Sequence, residues 1–517
     1  MTSDRRSQEQ PTTATTPAMP SESHTPRRTW RSLLRVRPLA FLLACAGLVT
    51  IVLLPGGEDL SVQGQMALAL LVFAVIMWVT EAVSYPVSAV MLIGLMAVLI
   101  GFTPNPEEPG EILGTGEGLT TALGGFASSA VALVAAALAL AAAMQATGLH
   151  RRLALLVMRI AGEKTSHILL GAIGLAIILA FFVPSATARA GAVVPILMGM
   201  VAAFGLAKDS KLGALLIITA AQAVSIWNVG IQTAAAQNLI AVDFIRDTMG
   251  ETVTWPQWFM WAAPWSLVMS VVLYFVMRWT IRPEVDKLSG GRAVVQKELD
   301  DLGPMTGPEI RLTIVAVLLL VLWSTQDILH PLDAPTVTLL AIGALLIPRI
   351  GVFDWKSAER LINWGTLVVF AVGISLGMLL LDTGAAQWLS ERTFTALGIH
   401  EMPLLATIAL VSLFNILIHL GFASATSLAA ALIPVFIALA ASLPNADEVG
   451  IGFVIIQQFV ISFGFLLPIS APQNMLAYGT GAFSTMQFLK TGIPLTVAGY
   501  LLVLLFSATY WQWIGLL

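Results

Sequence analysis

Charge and cysteine are both scarce in this sequence. Of its 517 residues 11% are charged and 57% are hydrophobic, whereas an ordinary soluble domain has about 25% charged residues. Apolar runs of about 18 residues or more, the length that a membrane-spanning helix needs, recur along the chain. A soluble protein would have to bury all of these runs as core helices, so the composition predicts an all-α polytopic membrane protein.

The single cysteine, Cys45, excludes an internal disulfide framework and a cysteine-based zinc site. Enzyme signatures are missing too, because the sequence has no HExxH motif, no serine nucleophile elbow and no nucleotide-binding ATPase domain. An intramembrane enzyme would need a base or a metal beside its nucleophile, and the apolar runs contain few histidine or acidic residues. We therefore predict that the protein is not an enzyme.

The N-terminal segment predicts the orientation of the chain. Residues 1–29 are rich in threonine, serine and proline and have too little apolar surface to fold, which indicates a disordered cytoplasmic tail. Arg31, Arg35 and Arg37 then directly precede the apolar part of a first transmembrane helix at 30–57, and basic residues at this position favour a cytoplasmic N-terminus in the inner membrane. Because the basic cluster adjoins an apolar run, we predict membrane lipid and no nucleic acid as its partner.

A short motif of small hydroxyl residues occurs twice in the chain. Residues 184–189 read Pro-Ser-Ala-Thr-Ala-Arg and residues 423–428 read Ala-Ser-Ala-Thr-Ser-Leu, and in both copies a proline follows the first serine after ten positions. Other landmarks repeat at similar spacing, and Gln473-Asn474 follows Gln237-Asn238 by 236 positions. This self-similarity predicts a first repeat at 58–281 and a second at 309–517, joined by a cytoplasmic connector at 282–308.

Loop charges predict that the two repeats have opposite orientations. The loops at 55–65 and 102–118 contain no lysine or arginine and are placed outside, whereas the basic loops at 150–164, 208–211 and 278–311 are placed inside. Inside and outside loops alternate from one crossing to the next if the two motif segments are re-entrant hairpins. The inner hairpin would lie near 166–203 and the outer one near 403–442. This count gives eleven transmembrane helices with the C-terminus outside, and inverted repeats of this kind are typical of secondary transporters.

The tips of the two hairpins form the predicted binding site. Each tip exposes backbone N–H groups and the positive end of a half-helix, an arrangement that binds anions. Hydroxyl groups near the tips can donate to carboxylate oxygens, and the alternative is that they cap the hairpin turns. The predicted substrate-binding positions at the two tips are Ser185, Ala186, Thr187, Ser424, Ala425 and Thr426.

Three polar residues extend this site. Arg189 is a cation within an apolar half-helix, suited to a two-pronged grip on a carboxylate or sulfate; the alternatives are a structural ion pair or an extended side chain that reaches the inner interface. Leu428 occupies the equivalent position, so the charge is one-sided. Asn238 and Asn474 lie where later helices are interrupted, and there they would bind substrate or a cation, or satisfy the broken backbone.

At this point the chain resembles a known family. Trp-Val-Thr-Glu-Ala at 78–82, Leu-Pro-Ile-Ser-Ala-Pro-Gln-Asn at 467–474 and the paired tips are similar to the divalent anion/sodium symporters, also called sodium:sulfate or di- and tricarboxylate transporters, over about residues 35–517. The resemblance implies a homodimer with a scaffold domain and a moving transport domain, an elevator-type mechanism, and a small dianion such as a dicarboxylate, citrate or sulfate as cargo. Sodium is the coupling ion that it implies, and no other cofactor is predicted.

Two departures from the family pattern shape the functional hypothesis. The family tip is Ser-Asn-Thr, whereas Ala186 and Ala425 replace the asparagine in both copies. The segment 185–191 resembles the subgroup of citrate/succinate and 2-oxoglutarate/malate antiporters, in which a fixed cation stands in for sodium. We therefore expect anion exchange, with sodium-coupled symport of a dicarboxylate or sulfate as the alternative and a passive anion channel as a distant one. In the symport alternative the sodium would lie near Ser185, Asn238, Ser424 and Asn474.

Overall fold

The computed structural model describes most of the chain after the N-terminal segment. The predicted tail at 1–29 lies outside the described residues. Apart from three isolated β-bridges, the regular structure of the described part is helical, which confirms the all-α prediction. The structure describes residues 30–56, 59–106, 108, 110–203, 205–287, 290–394, 398 and 402–517.

The first transmembrane helix, the predicted first repeat and the connector together contain twelve α-helices in the described residues. In chain order they are α1 (Trp30–Leu53), α2 (Val62–Thr80), α3 (Tyr85–Gly101), α4 (Thr115–Leu123), α5 (Ser129–Thr147), α6 (Leu149–Ala161), α7 (Thr165–Phe182), α8 (Ala186–Ala203), α9 (Lys211–Gly230), α10 (Ala236–Phe244), α11 (Trp255–Thr280) and the connector helix α12 (Gly291–Leu302).

The second repeat contains eleven further α-helices in the described residues. They are α13 (Gly307–Thr325), α14 (Ala334–Leu346), α15 (Trp355–Leu361), α16 (Trp364–Asp382), α17 (Ala385–Phe394), α18 (Leu404–His419), α19 (Ala425–Ala441), α20 (Ala446–Ile461), α21 (Pro472–Gly479), α22 (Thr485–Ala508) and α23 (Tyr510–Trp513).

Many of these helices are suited to a bilayer. Eight helical segments of the described chain are long and apolar enough to cross a membrane, namely α2, α5, α7, α9, α11, α13, α16 and the segment Thr485–Trp513. Shorter apolar helices include α3, α14, α18 and α19. The chain is therefore a multi-pass membrane protein.

The helix breaks occur in the same order in the two predicted repeats. The hairpin α7–α8 corresponds to α18–α19, and the interrupted pair α9–α10 corresponds to α20–α21. The apolar runs at 125–160 and 363–389 are each divided into two helices, at Gly148 and at Gly384. Both glycines have φ values near the left-handed helical region, 73° and 72°, a conformation that ends a helix at little cost for glycine.

The polar connector contains a helix that packs against the first-repeat helices. Its helix α12 buries Val295 and Leu299 and packs against α6 and α8. Glu284, which precedes α12, accepts hydrogen bonds from the backbone N–H groups of Lys211 (2.7 Å) and Leu212 (3.0 Å) at the start of α9. Partial burial opposes ionisation of this carboxyl, but the backbone hydrogen bonds outweigh it and lower the pKa of Glu284. These contacts hold the connector against α6, α8 and the start of α9.

Helix α9 lies at the centre of the molecule. Every residue of α9 after Lys211 is buried, and the helix packs against α7, α8, α11 and α21. Within it a polar residue occurs at every third position, at Thr219, Gln222, Ser225 and Asn228. A buried polar stripe must find hydrogen-bond partners inside the protein, and these partners lead to the site.

Gly492 provides a test of helix packing in the second repeat. A Cβ at this position of α22 would lie 2.1 Å from the carbonyl oxygen of Phe465, in the break between α20 and α21. We expect Gly492→Ala to destabilise the protein by about 1–3 kcal/mol, because backbone must move to relieve the clash. Thermal unfolding in detergent measures the effect.

Gly343→Ala is the matched control, since a Cβ on Gly343 in α14 meets nothing within 4 Å. Alanine there should leave the melting temperature unchanged or raise it. Equal melting temperatures for Gly492→Ala and the unmodified protein would contradict the packing described.

Candidate functional site

The two hairpin tips and the two helix breaks enclose a cavity of about 320 Å³. The residues at 184–187, 235–237, 424–426 and 471–473 line one part of it, and residues of α3, α5, α9, α16 and α18 are among the other lining groups. The cavity therefore contains elements of both repeats. The lining side chains of the described chain include no aspartate, glutamate, lysine or arginine, so the polar groups of its largely apolar wall are uncharged.

Four helices begin at this cavity. The first residues of α8 and α19, at the hairpin tips, line it together with those of α10 and α21, after the helix breaks. The first turn of a helix has N–H groups without intrahelical acceptors and carries a partial positive charge. Convergence of four such ends makes the uncharged wall attractive to an anion.

The serines and the threonines at the tips have different roles. The Ser185 hydroxyl accepts a hydrogen bond from the Ala188 N–H (3.3 Å), and the Ser424 hydroxyl accepts one from the Ser427 N–H (3.2 Å). Both serines thus cap their half-helices while lining the cavity. The threonine hydroxyls of the two tips, at 187 and 426, also line the cavity and make no hydrogen bond to described residues, so they are free to donate to a ligand.

Arg189 lies behind the cavity wall, not in it. Its side chain is fully buried, and its Nη2 donates to the side-chain oxygen of Asn228 and to the Ala234 carbonyl oxygen (2.9 Å). Asn228 itself lines the cavity. The geometry therefore differs from the direct two-pronged grip expected above, since the guanidinium group is directed toward the break between α9 and α10 and reaches the cavity through Asn228.

Within the described residues Arg189 forms no ion pair, and its Nε and Nη1 have no hydrogen-bond partner. A buried cation is costly unless an opposite charge compensates it. An anion in the adjacent cavity would provide that compensation.

The second repeat lacks both members of this pair. Leu428 stands at the position of Arg189, and Gly464 stands at the position of Asn228, each within three positions of the repeat offset of 236. Gly464 also lines the cavity. The cation and the amide that connects it to the cavity are thus absent together, and the site is symmetric in backbone but not in charge.

The side-chain amides of Asn238 and Asn474 bond to backbone carbonyl oxygens at the two helix breaks. The Asn238 side-chain amide lies within hydrogen-bonding distance of the carbonyl oxygens of Asn228 (2.7 Å), Ile231 (3.2 Å) and Gln232 (3.3 Å). The Asn474 amide donates to the Gly464 carbonyl oxygen (2.7 Å). Both bonds to residues 228 and 464 span ten positions. Neither asparagine lines the cavity, so in this geometry they satisfy the broken backbone.

Two glutamines that the sequence analysis did not place in the site connect the repeats. Gln237 donates to the Ser462 hydroxyl (3.3 Å), and Gln473 donates to the Ser225 hydroxyl (3.0 Å). Each bond runs from one repeat to the other, and both glutamines line the cavity. The repeated Gln-Asn pair was the signal that could have identified them. His419, Tyr85, Asn363 and Thr366 also line the cavity and were not predicted.

A sodium ion transported together with the substrate would be coordinated here by neutral oxygen atoms. Ala186 and Ala425 supply no side-chain ligand, and the carbonyl oxygens at 228 and 464 are engaged by the two asparagines. The Asn474 Oδ1 atom is buried without a partner in the described part of the chain. It is a candidate ligand outside the cavity lining, whereas the tip threonine residues line the cavity. The described residues contain no cluster of three or more His, Cys, Asp or Glu that could hold a metal ion.

Comparisons with known proteins agree with this architecture. The family described as the sodium:sulfate symporter transmembrane region matches residues 36–517. A membrane protein of Cupriavidus necator is 51% identical over 472 residues, which cover 91% of this chain and 92% of that protein. A sodium-dependent dicarboxylate transporter of Staphylococcus saprophyticus is 25% identical, with 90% of this chain and 89% of the relative covered.

A solved structure is similar in fold. The YdaH transporter of Alcanivorax borkumensis aligns with a TM-score of 0.52 at 14% sequence identity, covering 85% of this chain and 99% of the other. This likeness concerns the fold alone.

Proposed function

Because the chain belongs to the family of the sodium:sulfate symporter transmembrane region, we propose that it is a secondary transporter of small dicarboxylates that works by anion exchange. The observation that carries the proposal is the uncharged cavity between two hairpin tips, with four helix N-termini at its wall and Arg189 behind it. All of these features favour an anion. Its family and its relatives are membrane transporters, so the chain is a membrane transporter and not an enzyme.

A dicarboxylate fits the arrangement of the two tips. The tips come from opposite repeats, and each presents a helix N-terminus and a free threonine hydroxyl to the same cavity. Two carboxylates of one molecule can therefore be held by equivalent groups. A volume of about 320 Å³ lies at the lower end of the range for small-molecule sites, which favours a short acid.

Exchange is proposed in place of sodium coupling because of Arg189 and the two tip alanines. A permanently charged guanidinium group remains in the protein and balances part of the substrate charge in both directions of transport. A carrier with such a fixed cation is easier to reorient loaded than empty, since the empty form leaves the buried charge uncompensated. Sodium-coupled symport is the second candidate, supported by the staphylococcal relative, whose name describes sodium-dependent dicarboxylate transport.

Counterflow in proteoliposomes distinguishes the two. We expect uptake of labelled succinate into vesicles preloaded with unlabelled dicarboxylate, uptake that persists in sodium-free buffer and vanishes in vesicles loaded with buffer alone. Uptake that requires an inward sodium gradient and is indifferent to internal anion would overturn exchange and favour symport. Vesicles without protein provide the background.

The arrangement in the membrane is part of the proposal. Eleven crossings, an inner hairpin α7–α8, an outer hairpin α18–α19, a cytoplasmic N-terminus and an external C-terminus follow from the loop charges and from the matching helix breaks of the two repeats. We further propose a homodimer in the inner membrane whose hairpins move with α9–α10 and α20–α21 in an elevator-type cycle.

A further inference from the structure

His419 is a buried cavity residue that the proposed function leaves unused. It is the last residue of α18, directly before the second tip, and it is 2% exposed. The residue is part of the cavity lining. A lone histidine in an apolar helix is usually a packed residue, but its hydrogen bonds give this one a specific requirement.

The hydrogen bonds of the ring define its tautomer. Nε2 lies 3.2 Å from the carbonyl oxygen of Ser470. A carbonyl oxygen only accepts, so Nε2 must carry the hydrogen and donate it. In the neutral ring Nδ1 is then an acceptor, and this atom is buried without a partner among the described residues. The site thus contains an acceptor that requires a donor.

The surroundings of α18 do not supply that donor. The helices packed against it are α20 and α22, together with α17 through the ring contact of Phe394 with Phe414. Their charged residues are all exposed, namely Asp447, Glu448, Lys490, Glu391 and Arg392. The hairpin partner α19 has no charged residue. Tyr85, the other titratable side chain of the cavity wall, has its hydroxyl directed to the Trp78 carbonyl oxygen (3.2 Å) and to Glu81 (3.4 Å).

We propose that His419 Nδ1 accepts a hydrogen bond from an O–H group of the transported anion. The inference rests on the proposed function and specifies its substrate class. Two sources provide the O–H: the hydroxyl of a hydroxy-dicarboxylate such as malate, or the carboxyl of a singly protonated dicarboxylate. Fully ionised succinate has neither and leaves Nδ1 unmatched, and a site built to pair with a hydroxyl discriminates against the analogue that lacks it.

Two conservative variants test the roles of the two ring nitrogens separately. His419→Gln places an amide nitrogen near the position of Nε2, so it keeps the bond to Ser470 and removes the acceptor. His419→Asn places an amide oxygen near the position of Nδ1, so it keeps an acceptor and loses the bond to Ser470. If His419 served only in packing, the two variants would have similar ligand affinities.

The measurement is the affinity of the purified full-length protein for malate, succinate and ethane-1,2-disulfonate between pH 6 and pH 8. If the hydroxyl is recognised, malate binds about tenfold more tightly than succinate, a factor typical of one hydrogen bond, and the ratio falls to about one in His419→Gln but persists in His419→Asn. If the protonated carboxyl is recognised, succinate affinity rises as the pH falls, and His419→Gln loses this dependence. The disulfonate, which has no O–H in this range, binds independently of pH in both cases.

Three results would overturn the inference. A malate-to-succinate ratio and a pH profile that are the same in His419→Gln and the unmodified protein would remove the acceptor role. Disulfonate affinity that rises at low pH and loses this rise in His419→Gln would show that the ring donates as a cation. If the unmodified protein binds none of the three ligands, the proposed function fails together with the inference, whereas ligand binding without a His419 effect leaves the proposed function intact.

Discussion

Replacement of Arg189 by glutamine is expected to weaken dicarboxylate binding by about a hundredfold or more while the protein stays folded. Loss of a buried charge opposite a ligand charge typically costs about 2–5 kcal/mol, and the described cavity wall contains no lysine or arginine that could replace it. Folding should survive because Arg189 has no carboxylate partner in the described chain, so its removal leaves no buried negative charge unpaired. Calorimetry measures the affinity, and thermal unfolding measures the fold.

Arg152 provides the matched control. It is also a buried arginine, 7% exposed, but it forms an ion pair with the buried Glu309 (Nε to Oε1, 2.7 Å) and donates to the Gly303 carbonyl oxygen (2.8 Å). Arg152→Gln should therefore lower the melting temperature and leave the affinity of the folded fraction unchanged, the opposite of Arg189→Gln. Unchanged affinity in Arg189→Gln would remove this residue from the site.

Asn238→Leu is expected to abolish transport and to lower stability by several kcal/mol. The substitution keeps the size of the side chain but removes an amide that lies near three buried carbonyl oxygens in the break between α9 and α10, and each buried group left unpaired costs about 1–3 kcal/mol. The same break holds Asn228 and the Ala234 carbonyl against Arg189. Disorder there would misplace the cation.

Asn474→Leu is the comparison in the other repeat, because Asn474 donates to one carbonyl oxygen and no lysine, arginine, aspartate or glutamate of the described chain bonds to its break. We expect a smaller loss of melting temperature and residual counterflow activity. Asn238→Leu with the melting temperature of the unmodified protein, or a larger effect at Asn474, would contradict the role of these amides in closing the breaks.

The sequence predicted the all-α, multi-pass fold because the signals for it are spread over many residues. Low charge and long apolar runs indicated membrane-spanning helices, and the structure confirms the helical fold. The doubled tip motif and the Gln-Asn pairs predicted two repeats; the chain has a helix pair at each motif and a helix break before each Gln-Asn pair, and the division into repeats stays a prediction. The helix α12 was missed because its pattern is short: Val295 and Leu299 are spaced for one helical face, but a search for long apolar runs does not detect them.

Residue roles were harder to predict, since they depend on side-chain direction. Arg189 and Asn228 are 39 positions apart, and the break after α9 brings the arginine onto the far side of the cavity wall. The sequence alone places Arg189 near the tip, but it does not show that Asn228 lies between the arginine and the cavity. His419 gave no signal in the sequence, because its significance comes from one bonded and one unpaired nitrogen.

The central claim is that the cavity between the two tips binds a small dianion without requiring sodium. Isothermal titration of the purified full-length protein with malate and succinate, in sodium-free buffer and again in sodium chloride, tests this directly. We predict saturable binding of at least one of these acids in the sodium-free buffer, with little change when sodium is added. Binding that occurs only with sodium, or no binding of either acid under both conditions, would contradict the account.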